Sequence, residues 1–244
     1  MPLFARVWGR LPGDLTVICI DPVGRGFIRP SSTGASPDPQ RIVIRPALGS
    51  DHVRIDTARR KNHSFLGQWE ATLPAGSDEV LPSLREYCRQ ADRQARRGEA
   101  LVMVVEADGV VIGQFSLSNV VRGAMSQAML GYWLVEAWAG RGVGALAGAV
   151  VLDLAIGELG LHRVEICVRP ENGPSMALCH KLGLRREGVR ERYMHIGGQW
   201  ADHVAFVCDA EGMPAGGLVL HHWGVGLDEP GRGVETASNA GGQM

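Results

Sequence analysis

The stretch from Gly131 to Ala147, GYWLVEAWAGRGVGALA, restricts the folds open to this chain more than any other segment. Its first part has the aromatic and β-branched character of a strand, glycines follow at 140, 142 and 144, and small apolar residues continue to about Leu159 like a buried helix. A strand that enters a glycine turn and leaves it as a helix makes an anion site. Glycine lets successive main-chain N–H groups converge, and the positive end of the helix dipole adds to the attraction. Arg141 offers a further charge-assisted contact. The plainer reading is a buried small-residue helix that holds no ligand.

Gly142-x-Gly144-x-x-Ala147 also fits the dinucleotide fingerprint, with Glu165 at the end of the next strand as the ribose-binding acid. A dinucleotide-dependent oxidoreductase is therefore an alternative. Against it, Glu136 to Ala139 separates the strand from the first glycine, and the upstream chain reads as two helices and an antiparallel meander rather than βαβ repeats. The triphosphate pattern G-x-x-x-x-G-K-[ST] does not occur.

Composition divides the chain into three parts. Residues 1–40 include a Gly-, Pro- and Ser-rich stretch from Gly24 to Gln40 and read as a flexible N-terminal extension, 41–209 as the folded domain, and 210–244 as a Gly-rich C-terminal tail with one docking segment at Leu218 to Trp223. Within the domain, Arg41 to Arg45 reads as a strand and a short helix follows it. A second helix is capped by Ser77, with Val80, Leu81, Leu84, Tyr87, Cys88 and Ala91 at helical spacing. Leu101 to Glu106 and Val110 to Leu117 form a hairpin across Ala107-Asp108-Gly109. Ala128 to Val135 and Arg163 to Val168 read as strands and Pro174 to Leu182 as a helix, and two more strands end near Asp209.

Lys and Arg number 25 against 26 Asp and Glu, so no overall field draws the chain to nucleic acid or an anionic membrane. The five cysteines are scattered without a C-x-x-C pair, which suggests neither disulfides nor a zinc site. No apolar run has the length of a membrane span, and Leu15 to Ile20 makes a poor signal peptide. A cytoplasmic protein without metal is expected.

Several blocks together resemble a known family. SLSNVVRG (Ser116 to Gly123), LGYWLVEAWAGRGVG (Leu130 to Gly144), HRVE (His162 to Glu165), RPENGPS (Arg169 to Ser175), LGLRREG (Leu182 to Gly188) and GQWADHV (Gly198 to Val204) are similar to RimJ/RimL-type ribosomal-protein-alanine N-acetyltransferases of the GNAT superfamily, most of all to its RimJ branch. The resemblance implies an α/β (α+β) GNAT fold: a mixed, mostly antiparallel sheet flanked by helices and splayed between its fourth and fifth strands, with acetyl-CoA in the gap. The family's pyrophosphate loop, Q/R-x-x-G-x-G/A, falls on Ala139, Gly140, Arg141, Gly142, Val143 and Gly144, with alanine in place of the usual Gln or Arg.

The implied chemistry is direct attack of an amine on the thioester. An α-amine, with a pKa of about 7.7 to 8.0, needs only a weak base, whereas lysine at about 10.4 is almost wholly protonated. Glu136 is the candidate base, or else a solvated loop residue. Main-chain N–H groups around Leu134 and Val135 would meet the oxyanion. Asn172 and Ser175 match the family's N-x-x-S, in which asparagine holds the pantetheine arm and serine the sulfur; alternatively both only cap the helix near Pro174. The glutamate and tyrosine of RimI-type enzymes fall on Cys167 and Cys179, and a glutamate proposed as base in RimL-type enzymes falls on Met194. Phe65, Trp69, Tyr132, Tyr193 and Trp200 lie in segments that the family places around its peptide groove; each could equally be core packing. The acceptor implied is the N-terminus of a ribosomal protein, bound by a monomer or homodimer. A small-molecule acetyltransferase and a degenerate coenzyme A-binding module stay open.

Overall fold

The computed structural model describes residues 6–32, 34 and 37–227, together with the backbone of 234–236. Its strands are β1 (Val17–Ile20), β2 (Arg41–Pro46), β3 (Leu101–Ala107), β4 (Val110–Val121), β5 (Gln127–Leu134), β6 (Arg163–Val168), β7 (Arg185–Ile196), β8 (Gln199–Asp209) and β9 (Val234–Thr236). Its helices are α1 (Asp51–Lys61), α2 (His63–Leu66), α3 (Leu84–Arg97), α4 (Val143–Asp153), α5 (Gly173–Lys181) and α6 (Gly217–Trp223). The strands make one open sheet in the order β7-β8-β6-β5-β4-β3-β2-β1-β9.

Seven of the eight strand pairings are antiparallel, and only β5 and β6 run parallel. The connection explains the exception: β5 and β6 are joined by α4, and a parallel neighbour requires a crossover of that kind. A doubly wound sheet needs repeated parallel crossovers, so the dinucleotide reading fails here. Glu165 is no ribose ligand either. It is buried and ion-paired with Arg163 at 3.2 Å and Arg190 at 2.5 Å.

Strand alternation divides the core between the two faces. Met103 and Val105 of β3 join the large cluster containing α4, while Val104 packs with Ala47, Ile55 and Val111 on the face covered by α1. Both faces are therefore covered at β3, which is why it reads as continuous apolar sequence.

Two boundaries differ from the sequence expectation. The helix after α2 is capped by Ser83, not Ser77: the Ser83 hydroxyl accepts the Glu86 N–H at 3.3 Å and the Glu86 carboxylate accepts the Ser83 N–H at 2.9 Å. Pro82 accounts for the later start, because the residue before a proline is pushed out of helical geometry. Val80 and Leu81, placed by the sequence on a helix face, are 92% and 73% exposed.

The N-terminal segment is the second difference. Where it is described it is no flexible extension: β1 pairs with β2, and Val7, Leu15, Val17, Cys19, Phe27 and Ile28 are buried in the main core. Short apolar pieces scattered among Gly and Pro still bury well when each meets an existing apolar surface. The docking segment expected at Leu218 to Trp223 forms α6, whose Leu218 and Val219 N–H groups donate to the Asp153 carboxylate at 2.7 and 2.9 Å. Of the tail beyond it, the expectation for 228–244 lies outside the described residues except at β9, which pairs with β1.

Candidate active site

β5 and β6 pair only over Gln127↔Arg163, Ala128↔Val164 and Met129↔Glu165. Beyond that point β5 continues against β4 as far as Leu134, and β6 continues against β8 as far as Val168. The sheet thus opens between them, leaving one edge of Leu130 to Leu134 without a partner strand. The Val135 N–H donates to the Ile112 carbonyl at 2.9 Å. Because N–H directions alternate along an antiparallel strand, the N–H groups of Leu134 and Tyr132 turn the other way, into the gap. Of the two expected oxyanion donors, Leu134 therefore faces the gap and Val135 is committed to β4.

A 3-10 turn at Glu136–Trp138 and an extended Ala139 carry the chain from β5 into the glycine loop. Gly140 and Gly142 have φ of +73° and +93°, values that strain any side chain. Gly144 permits close packing: a Cβ there would stand 3.0 Å from Leu178 Cδ1 and 3.4 Å from Leu134 Cδ1. The Leu146 N–H donates to the Gly142 carbonyl at 3.1 Å, so the N–H groups of Val143, Gly144 and Ala145 precede the first helical bond. No side chain caps them. This uncapped end of an 11-residue helix, facing an open sheet, fits a pyrophosphate.

Arg141 is engaged largely by the N-terminal segment. Its Nε donates to the Arg29 carbonyl at 3.2 Å, its Nη2 to Asp38 at 2.6 Å, and its guanidinium lies 4.4 Å from the Trp138 ring centre. The side chain ties the N-terminal segment to the loop through Nε and Nη2, and its buried Nη1 has no hydrogen-bond partner among the described residues.

Across the gap, Asn172 caps α5 by accepting the Ser175 N–H at 3.2 Å. The capping alternative thus holds for Asn172 and for the main chain of Ser175. The Ser175 hydroxyl plays no part in the cap.

A model of the acetyltransferase (GNAT) domain matches residues 41–185. This chain belongs to the GNAT acetyltransferase family. It is 40% identical to the "Probable N-acetyltransferase YjcK" of Bacillus subtilis, over 66% of this chain and 90% of that protein. It is 29% identical to the [ribosomal protein uS5]-alanine N-acetyltransferase of Escherichia coli, over 67% of this chain and 85% of that one. The structure of Mycobacterium smegmatis RimJ in complex with CoA-disulfide superposes with a TM-score of 0.65 and 34% identity, covering 71% of this chain and 84% of RimJ. Acetyl-CoA is accordingly the cosubstrate.

In the GNAT frame, β5 and β6 correspond to the family's splayed fourth and fifth strands, because β1 adds a strand ahead of the matched region. The aromatic candidates divide. Trp69 lies 5.8 Å from the Arg169 guanidinium, beside the loop leading to Asn172. Phe65 is half-buried on α2, and this segment docks on the β7–β8 hairpin through Ala71↔Ile196 and Thr72 to His195. Tyr193 donates to Met129 Sδ at 3.6 Å and packs edge-on against buried His203. Trp200 is 56% exposed at the hairpin, its ring against His195. Tyr132 is displaced from this set. Its neighbour Trp133 faces α1, whereas Tyr132 stacks on Phe115 at 5.0 Å in the cluster with α4.

Glu136, the expected base, is exposed on its turn, where its N–H donates to Asn62 Oδ1 at 3.2 Å. Arg169 and Arg190, which the sequence reading did not single out, stand over the rings of Trp69 and Tyr193.

The Arg141 contacts imply a separable role. Arg141→Met is expected to lower stability by about 1–3 kcal/mol, from lost charge-assisted and cation–π contacts. Coenzyme A affinity of the folded protein should stay within about twofold. Thermal melting and calorimetric titration test this, and a large loss of affinity at unchanged stability would return Arg141 to the phosphate site.

Among the described residues, no helix is long and apolar enough to cross a membrane, and no group of three or more His, Cys, Asp or Glu is arranged to hold a metal.

Proposed function

We propose that this GNAT enzyme acetylates the N-terminal α-amine of a protein, a ribosomal protein by analogy with its uS5-alanine relative. The observation that carries the reading is electrostatic. The fully buried carboxylates among the described residues are Asp51, Glu106 and Glu165, and each is ion-paired to arginine. A site without a free buried carboxylate suits an amine that is already partly neutral at pH 7 and serves a lysine side chain poorly.

Acetyl-CoA supplies the activated acyl group. The main-chain N–H groups of Val143, Gly144 and Ala145 hold its pyrophosphate, with Asn172 along the pantetheine arm and the Leu134 N–H at the thioester oxygen. Trp69, Tyr193 and Phe65 line the approach of the acceptor peptide, with Arg169 beside Trp69. The amine forms the new C–N bond as the C–S bond breaks, and the Ser175 hydroxyl assists the departing sulfur. Comparing protein N-termini in cells with and without the gene tests the acceptor class. Loss of acetylation at one or a few ribosomal-protein N-termini supports the reading, and an unchanged set of N-termini opposes it.

A further inference from the structure

The side chain of Tyr132 leaves β5 toward α5, and its ring lies flat on Phe115 with an interplanar angle of 13°. Its hydroxyl is buried and finds no hydrogen-bond partner among the described residues. The Ser175 hydroxyl and the Cys179 thiol lie close to it. A buried hydroxyl left unpaired is unfavourable, and a ligand atom arriving beside it would relieve the penalty. The place is telling: Cys179 stands where RimI-type relatives carry a tyrosine on this helix, and Tyr132 reaches the same spot from the opposite strand.

We propose that the Tyr132 hydroxyl, on β5, is the proton donor to the coenzyme A sulfur, working beside Ser175 in place of the missing helix tyrosine. The inference rests on the acetyltransferase reading above. In the step, the amine lone pair forms the C–N bond, the C–S pair leaves on sulfur, and the phenolic proton passes to that sulfur. The proton shed by the amine goes to solvent, from which Tyr132 is later reprotonated.

The surroundings keep the neighbouring groups protonated. Burial pushes the Cys179 thiol up to about 12. Burial likewise raises Tyr132, chiefly by desolvation, keeping its proton in place until the sulfur departs.

The test measures the thiol pKa of bound coenzyme A in the wild type, Tyr132→Phe and Ser175→Ala. Tyr132→Phe keeps the stacked ring and should raise that pKa by about one unit, a tenfold loss of thiolate, with coenzyme A affinity nearly unchanged. An unshifted thiol in Tyr132→Phe, with the whole effect in Ser175→Ala, would overturn the assignment. Absence of coenzyme A binding in the wild type would overturn both this inference and the acetyltransferase reading. A second measurement needs no variant at position 132. The chain has three tyrosines, so fluorotyrosine-labelled protein, assigned with Tyr87→Phe and Tyr193→Phe, reports each by fluorine resonance. The Tyr132 signal should move as the bound thiol titrates, and a stationary signal would count against the proposal.

Discussion

Removal of residues 1–40 is expected to abolish folding of the chain. The deletion takes away β1 and the buried side chains of Val7, Leu15, Val17, Cys19, Phe27 and Ile28. At about 1.5–3 kcal/mol for each large apolar side chain, the lost burial is on the order of 10 kcal/mol, comparable with the whole net stability of a typical domain. β2 would become an exposed edge and uncover Ile42 and Ile44, both buried against the main core. Arg141 would lose Asp38 and the Arg29 carbonyl, and with them the backing of the glycine loop. The family match begins at residue 41, so this chain has made structural use of a segment that lies outside the matched domain. Circular dichroism and urea unfolding of the 41–244 fragment check the point. A cooperative transition at wild-type stability would show that the segment is dispensable.

Gly142→Val is expected to cost about 10- to 100-fold in coenzyme A affinity while leaving the fold largely intact. Gly142 precedes α4 with φ of +93° and ψ of −6°, a conformation that a β-branched residue resists strongly. Its Cβ would also stand 3.8 Å from Ile28 Cα and the Phe27 carbonyl, so further side-chain atoms have little room. The loop must move, and the N–H groups that follow it move too. Because Ala139 replaces the usual polar residue and Arg141 is paired with Asp38, main-chain groups supply most of the loop's affinity, leaving little to compensate. Calorimetric titration with coenzyme A measures the effect. Unchanged affinity in a folded variant would mean that the pyrophosphate binds elsewhere.

The parts of the site legible in the sequence were those built from adjacent residues. Strand, glycine loop and helix follow one another in the chain, and local geometry is enough to make them an anion site. Asn172, two residues before Pro174, was legible for the same reason. The contacts of Arg141 were not legible because its partners, at 29 and 38, lie about a hundred residues away, and a charged residue beside glycines looks the same whether it faces a phosphate or the protein. Tyr132 was misplaced although the signal existed: Leu130, Tyr132 and Leu134 share the strand face that packs toward α4, and Trp133 has the opposite one. The N-terminal segment escaped because its regular elements among the described residues are short, a 3-10 turn at Pro12–Leu15 and the four-residue β1. Too short to show a period, β1 becomes a strand through pairing with β2.

Competition between acceptor amines tests the central claim most directly. The purified protein, acetyl-CoA, alanine-initiated peptides carrying internal lysines, one with the N-terminal residues of ribosomal protein uS5, and free amino acids would be mixed and the acetyl group located by mass spectrometry. We expect acetyl on the peptide N-terminal nitrogen, at a rate that rises with pH through the α-amine pKa of about 8. Acetyl found on lysine or on a free amino acid, with the peptide N-termini unmodified, would contradict the account.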